Sequence, residues 1–116
     1  MKIIIKGTNI NISEPIEDYL YKKMSSVEKF INDTTKVEVE LKKTTNHHKT
    51  GDIFMAEVNV WSKGKLNRVE RTSEDIYSAI DLMQNELFDL LSTEKDKSHT
   101  LFKRGAQKIK NMFRRG

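Results

Sequence analysis

The period of the hydrophobic positions switches repeatedly along the chain, and each switch predicts an element boundary. Lys2 to Lys6 is a short β-branched run closed by Gly7, which predicts an opening strand. Asn9 to Ser13 is a connection. Ser13 is a good helix N-cap, with Pro15 tolerated in the first turn where its missing N–H matters least. Behind it Ile16, Leu20, Met24, Val27 and Ile31 recur every three or four residues, flanked by Tyr19 and Phe30, so an amphipathic helix is expected up to Asn32-Asp33. Its outer face carries Lys22, Lys23 and Lys29.

The period then becomes two. Val37, Val39 and Leu41 alternate with Glu38, Glu40 and Lys42, a half-buried strand. Thr44 to Asp52 is polar turn chemistry throughout and predicts an exposed loop. Phe54, Ala56, Val58 and Val60 form the next inward row, with Glu57, Asn59 and Trp61 pointing the other way. Lys63-Gly64 turns the chain into a weaker fourth strand, Leu66 to Arg71, and the close spacing predicts an antiparallel meander. Thr72 or Ser73 is expected to cap a second helix, whose inner stripe is Ile76, Ile80, Met83, Leu87 and Leu90, with Leu91 beside it. Ser92 to Ser98 reads as a fraying, linker-like stretch. The order is β-α-β-β-β-α: an α+β two-layer sandwich, a four-stranded sheet with two helices on one face.

Composition narrows the class. The 116 residues leave room for one small core, and no apolar run is long enough to cross a membrane. The N-terminal apolar stretch is too short for a signal peptide. Without cysteine there is no disulfide, zinc-finger or thiol chemistry, and a cytoplasmic setting is expected. The net charge of +4 is unevenly spread. Residues 1 to 72 sum to +3, residues 73 to 97 to −5, and the tail from Lys103 carries six basic residues and no acid. That distribution suits a polyanionic partner met by selected surfaces.

Candidate chemistry is sparse. His47 and His48 sit side by side in a loop with no nucleophile motif, and a third metal ligand would have to come from distant His99 or a carboxylate. The glycines are scattered, so no phosphate-cradling loop exists. The carboxylates of the second helix read as a solvated face. No catalysis, cofactor, metal or small-molecule substrate is expected. The lysines and arginines are the other candidates. Lys22, Lys23 and Lys29, the group Lys42, Lys43 and Lys49, and the hairpin residues Lys63, Lys65, Arg68 and Arg71 would together make one continuous positive surface. The competing reading is an ordinary charged coat. Trp61, predicted to point away from the core, either stacks on a base or simply packs along the outer face of the sheet.

The stretch Asp75-Ile76-Tyr77-Ser78-Ala79-Ile80-Asp81 resembles the D-x-Y-x-A-I-D signature that opens the second helix of ribosome hibernation promoting factors. That family includes ribosome-associated inhibitor A and has also been labelled sigma-54 modulation protein. Asn11-Ile12-Ser13, Ile16, Leu20, Lys23, Val27, Lys29 and Phe30 fit its first helix, and Phe54-Met55-Ala56-Glu57-Val58 resembles its third strand. The resemblance covers residues 2 to 92. It implies a fold similar to the double-stranded-RNA-binding domain. It also implies binding to the small ribosomal subunit at the decoding region through 16S ribosomal RNA, with messenger and transfer RNA blocked and translation inhibited under stress. Two departures stand out. Family members usually run basic along the end of the second helix, where this chain has Glu86, Asp89 and Leu90. Short members generally lack anything like Leu101 to Gly116, which is also far too short for the C-terminal domain of long forms.

The sequence therefore predicts a short-form factor, with an RNA-binding domain over 1–97 and a basic tail over 98–116. Of its candidate contacts, Lys23 and Lys29 rest on the resemblance, whereas Lys22, Lys42, Arg68 and Arg71 rest on charge and placement. In the tail, Lys103, Arg104, Lys108, Lys110, Arg114 and Arg115 accompany Phe102, Ala106, Ile109 and Phe113 at helical spacing. Gly105 costs such a helix roughly 1 kcal/mol against alanine, and a free segment this short is marginal in water. It is expected to be disordered alone and to order on RNA, supplying the phosphate binding that the acidic side chains Glu86 and Asp89 cannot. The alternative from another class is a peripheral membrane or protein-interaction module working through this tail.

Overall fold

A computed structural model describes residues 2–31, 35–45, 51–62 and 64–111, with Thr45 and residues 94–111 as backbone only. The elements follow the expected order: β1 (Ile3–Thr8), α1 (Glu14–Met24), β2 (Lys36–Thr45), β3 (Asp52–Ser62), β4 (Lys65–Ser73) and α2 (Ile76–Asn111). The sheet order is β1-β2-β3-β4. β2, β3 and β4 form the antiparallel meander, and β1 joins its edge in parallel, Ile3 opposite Val37. A parallel neighbour needs a long crossover, which α1 supplies.

Strand alternation then sorts the side chains. Val37, Val39 and Leu41 meet Val60, Val58 and Ala56 across the β2–β3 ladder, and all six are buried. Val58 in turn faces Val69 of β4. Against this face pack Ile16, Leu20 and Met24 of α1, Val27 behind it, and Ile76, Ala79, Ile80, Met83, Leu87 and Leu91 of α2. Both helices thus cover one face, and the alternate row of every strand forms an open face. Among the described residues no helix is long and apolar enough to cross a membrane.

Local chemistry moves several boundaries. Ser13 caps α1 as expected, its Oγ accepting from the Ile16 N–H. The α-helix stops at Met24, however, and a 3₁₀ turn occupies Ser25–Phe30, with Ile31 extended. The hydroxyls of Ser25 and Ser26 donate back to the carbonyls of Lys22 (2.7 Å) and Lys23 (2.9 Å), an i→i−3 pattern that tightens the helix end. Gln84 of α2, itself buried, donates to Ser26 Oγ. The expected loop is shorter than its polar sequence, because Thr44 and Thr45 pair with Ile53 and Asp52. His47 and His48 lie outside the described residues.

The α2 cap is also displaced. Thr72 and Ser73 remain in β4, paired with Met55 and Phe54, and Asp75 caps the helix by accepting from the Ser78 N–H at 3.1 Å. A carboxylate there meets both the free N–H groups and the helix dipole. Leu91 rather than Leu90 completes the inner stripe; Leu90 is half-buried. The backbone stays helical through the predicted linker at 92–98, across the 97/98 boundary and on to Asn111. Elongating a helix already nucleated by packing adds one hydrogen bond per residue fixed, whereas an isolated tail must first form a nucleus. Arg114 and Arg115 lie outside the described residues.

Gly7 shows how closely the chain wraps at the end of β1. A Cβ there would sit 2.9 Å from the Ile10 carbonyl oxygen and 3.0 Å from Ile12 Cδ1. Asn9, with φ 59°, supplies the left-handed bend that brings Ile10 back. Gly7→Ala should cost about 1–3 kcal/mol, as overpacking does. Chemical denaturation should read this as a lower midpoint at unchanged slope.

Candidate functional site

The open face is ordered by register. One cross-strand row runs Lys6–Glu40–Glu57–Glu70, placing three glutamates side by side on β2, β3 and β4. Like charges directly opposite repel. Arg68 offsets this: its guanidinium pairs with Glu57 and approaches Glu70 at 4.0 Å. Glu57 is the most enclosed of the row, at 6% exposure, and its contact with Arg68 is an ion pair rather than a directed hydrogen bond. The Thr8 hydroxyl donates to Glu40 at 2.6 Å. Lys42 lies one row along, opposite Met55, with no ion pair among the described residues. At the far end Trp61 does point away from the core; Lys36 sits 5.3 Å from its ring centroid and 3.4 Å from Glu38.

The helical layer is built around Asp81. Its Oδ1 accepts from the Tyr19 hydroxyl at 2.6 Å and holds Lys23 Nζ at 3.4 Å. Lys23 also lies 5.4 Å from the Tyr19 ring centroid, and Tyr77 packs edge-on against Tyr19 at 5.0 Å. The hydrogen bond to the Asp81 carboxylate, reinforced by burial, pushes the Tyr19 phenol up to about 12. Lys23 is therefore a committed member of the α1–α2 joint. Lys22 is exposed with no ion pair among the described residues, and Lys29 rests on the rings of Phe30 and Phe88.

The expected continuous positive surface does not form. Lys42 and Arg68 stand on the open face, while Lys22, Lys23 and Lys29 belong to the helical layer. Arg68 and Arg71 are three apart on a strand, so they point to opposite faces. Arg71 Nη1 donates to Glu86 Oε1 at 2.8 Å, tying β4 to α2. The helix carboxylates Asp81 and Glu86 are thus engaged, not merely solvated. Sequence reasoning passed over Lys6 and Lys36 as open-face cations; counting parity back from Val37 and Ile3 finds both. Lys103, Arg104, Lys108 and Lys110 lie along the α2 backbone. No group of three or more metal-ligating side chains occurs among the described residues.

Fold and site together define a small mixed-sheet α+β domain whose two helices are clamped to each other and whose cations are divided between two faces. Residues 3–99 match the family described as sigma 54 modulation protein / S30EA ribosomal protein, and the chain belongs to that family. It is 36% identical over 99 residues to the ribosome hibernation promotion factor of a Picosynechococcus species, covering 84% of this chain and 51% of that protein. Identity to the factor of the same name from Staphylococcus aureus is 30% over 83 residues, 72% of this chain and 42% of that one. The chain thus spans about half the length of the curated relatives it matches. The crystal structure of the Thermus thermophilus Protein Y N-terminal domain is similar at 27% identity and a TM-score of 0.65, over 78% of this chain and 96% of that one. A ribosomal subunit interface protein from Coxiella burnetii shares the fold, with a TM-score of 0.68 at 21% identity over 83% and 99% of the two chains.

The signature residues carry structural duties here. Asp75 caps α2, Ile76, Ala79 and Ile80 are core, Tyr77 packs on Tyr19, and Asp81 clamps α1. Because the folded pKa of Tyr19 exceeds the ordinary value of 10, its contribution to stability is complete below pH 10 and is lost as pH rises towards 12. Ultraviolet titration should show one tyrosine ionising near pH 12, absent in Tyr19→Phe. That variant should also lose about 1 kcal/mol of stability at neutral pH.

Proposed function

We propose that this chain is a ribosome hibernation factor. It binds the small ribosomal subunit at the decoding region through 16S ribosomal RNA, excludes messenger and transfer RNA, and so inhibits translation in the cytoplasm under stress. The observation that carries the reading is the extent of the family match: residues 3–99 take in the whole packed domain, every strand and both helices, rather than an isolated motif. The reading is of a binding protein, acting by occupancy and not by catalysis.

Charge bookkeeping ranks the contacts. A cation already paired with a carboxylate must exchange that partner for a phosphate and gains less than a free one. Lys22, Lys29 and Lys42 have no carboxylate partner among the described residues, whereas Lys23, Arg68 and Arg71 each have one. Lys22 and Lys29 are therefore the leading phosphate contacts, with the tail residues Lys103, Arg104, Lys108, Lys110, Arg114 and Arg115 as a second group.

Messenger and initiator transfer RNA bound beforehand should compete with the protein in co-sedimentation with small subunits; undiminished binding to loaded subunits would sink the placement. Lys22→Glu with Lys29→Glu should weaken binding roughly tenfold and lower the log–log salt slope by about 1.5 units. Thermal denaturation of this pair should be unchanged, because neither side chain is in the clamp. Deleting residues 99–116 removes six cations and at most about 4 to 5 units of slope. Equal affinity and slope after truncation would remove the tail from the interface.

A further inference from the structure

Four lysines of the described domain lie near an aromatic ring: Lys23, Lys29, Lys36 and Lys43. Three of them also hold a carboxylate, namely Asp81, Glu38 and Asp52. Lys29 does not. Its ammonium lies 5.1 Å from the Phe88 centroid and 5.4 Å from that of Phe30, with no other partner among the described residues. It is exposed and keeps its full charge, and the rings hold it in place.

The rings themselves form a second feature. Phe30 ends the 3₁₀ turn and Phe88 lies on α2, where their centroids are 5.4 Å apart at an interplanar angle of 74°. Both pack against the core yet remain half-buried, so neither is closed to solvent. Most of the other large side chains at the helix junction, Leu20, Met24, Val27 and Leu87, are fully enclosed. A partly open aromatic pair beside an unneutralised cation is the combination by which single-stranded nucleic acid is held: a phosphate on the cation and a base against a ring.

We infer that Lys29, Phe30 and Phe88 form a site for one unpaired RNA nucleotide, the ammonium taking its phosphate and the ring pair its base. The inference rests on the RNA-binding reading above and adds a requirement to it. A duplex keeps its base faces stacked, so the site accepts only a nucleotide that is free to unstack. Base–aromatic stacking is tolerant of sequence, so the site reads strandedness rather than a particular base. The exposed Asp89, next in sequence to Phe88, keeps a negative charge near this junction, which leaves Lys29 as the local phosphate contact.

The test uses the full chain and a short single-stranded RNA containing 2-aminopurine, with a blunt duplex of the same sequence as the comparison. Wild type should quench the single-strand emission saturably and the duplex emission hardly at all. Phe88→Leu and Phe30→Leu keep apolar volume in place. Each should weaken single-strand binding roughly tenfold, within the range for one base–aromatic stack, at unchanged salt slope. Lys29→Gln should instead flatten the slope by nearly one unit while quenching persists at low salt. Absence of quenching by wild type, equal quenching of duplex, or a stable Phe88→Leu protein that binds and quenches like wild type would each overturn the site. Small-subunit co-sedimentation separates the two readings. If wild type fails to sediment, the ribosome reading falls; if wild type and both leucine variants sediment equally, only the nucleotide site does.

Discussion

Everything on the helical layer depends on one carboxylate. Asp81 receives the Tyr19 hydroxyl and the Lys23 ammonium from α1, while its own helix is anchored to the sheet through Ile76, Ile80, Met83 and Leu87. The sheet contacts of α2 lie on β3 and β4, and α1 reaches the core through Ile16, Leu20 and Met24. The clamp fixes the rotation of α1 about its axis, and that rotation decides which residues face outward. Lys22 and Tyr21, adjacent on the exposed side, are outside because Tyr19, Leu20, Lys23 and Met24 are held inside or at the joint. The same geometry sets where the 3₁₀ turn begins, and hence where Lys29 and Phe30 come to rest against Phe88.

A second constraint is local neutralisation. The sheet brings Glu40, Glu57 and Glu70 into one row, and Arg68 is the cation that makes the row tolerable. Arg71 is likewise engaged by Glu86 on the opposite face. A formal count of lysine and arginine therefore overstates the charge available to a polyanion. It also gives the two faces different characters: the open face has its central cation committed to carboxylates, while the helical layer keeps Lys22 and Lys29 unneutralised. Exposed pairs are individually worth little, so RNA can displace them, yet each displacement subtracts from the net gain.

Most of the fold was legible because its two periods are clean. The β-branched row Val37, Val39, Leu41 and its partner row Ala56, Val58, Val60 left one possible inner face, and Ser13 announced the first cap. What the pattern could not give was the competition between neighbouring signals. Thr72, Ser73 and Asp75 can all cap a helix; ladder pairing with Met55 and Phe54 kept the first two in the strand. Val27 and Ile31 continue a helical spacing, but Ser25 and Ser26 bend the backbone before it gets there. The candidate site was less legible for a different reason. Residue type identifies a cation, whereas its partner comes from another element. Arg71 finds Glu86, and Lys23 finds Asp81, across separations that no local motif encodes. The opposite orientations of Arg68 and Arg71 were readable from their odd spacing alone.

The charge segregation along α2 has two physical sources, and position separates them. The acids Glu74 and Asp75 stand at its positive end, and Lys108 and Lys110 fall within the last turn before Asn111, so the helix dipole favours all four without any partner. That effect fades within about one turn of either terminus. Lys103 and Arg104 lie well inside the helix, beyond its reach, and gain nothing from the dipole. Neither does Glu86, which Arg71 holds instead. A basic pair in the middle of an extended helix has no stabilising role of its own to explain it, whereas the cations at the helix end do. Lys103 and Arg104 are accordingly the tail residues whose charge most needs an external anion to account for it.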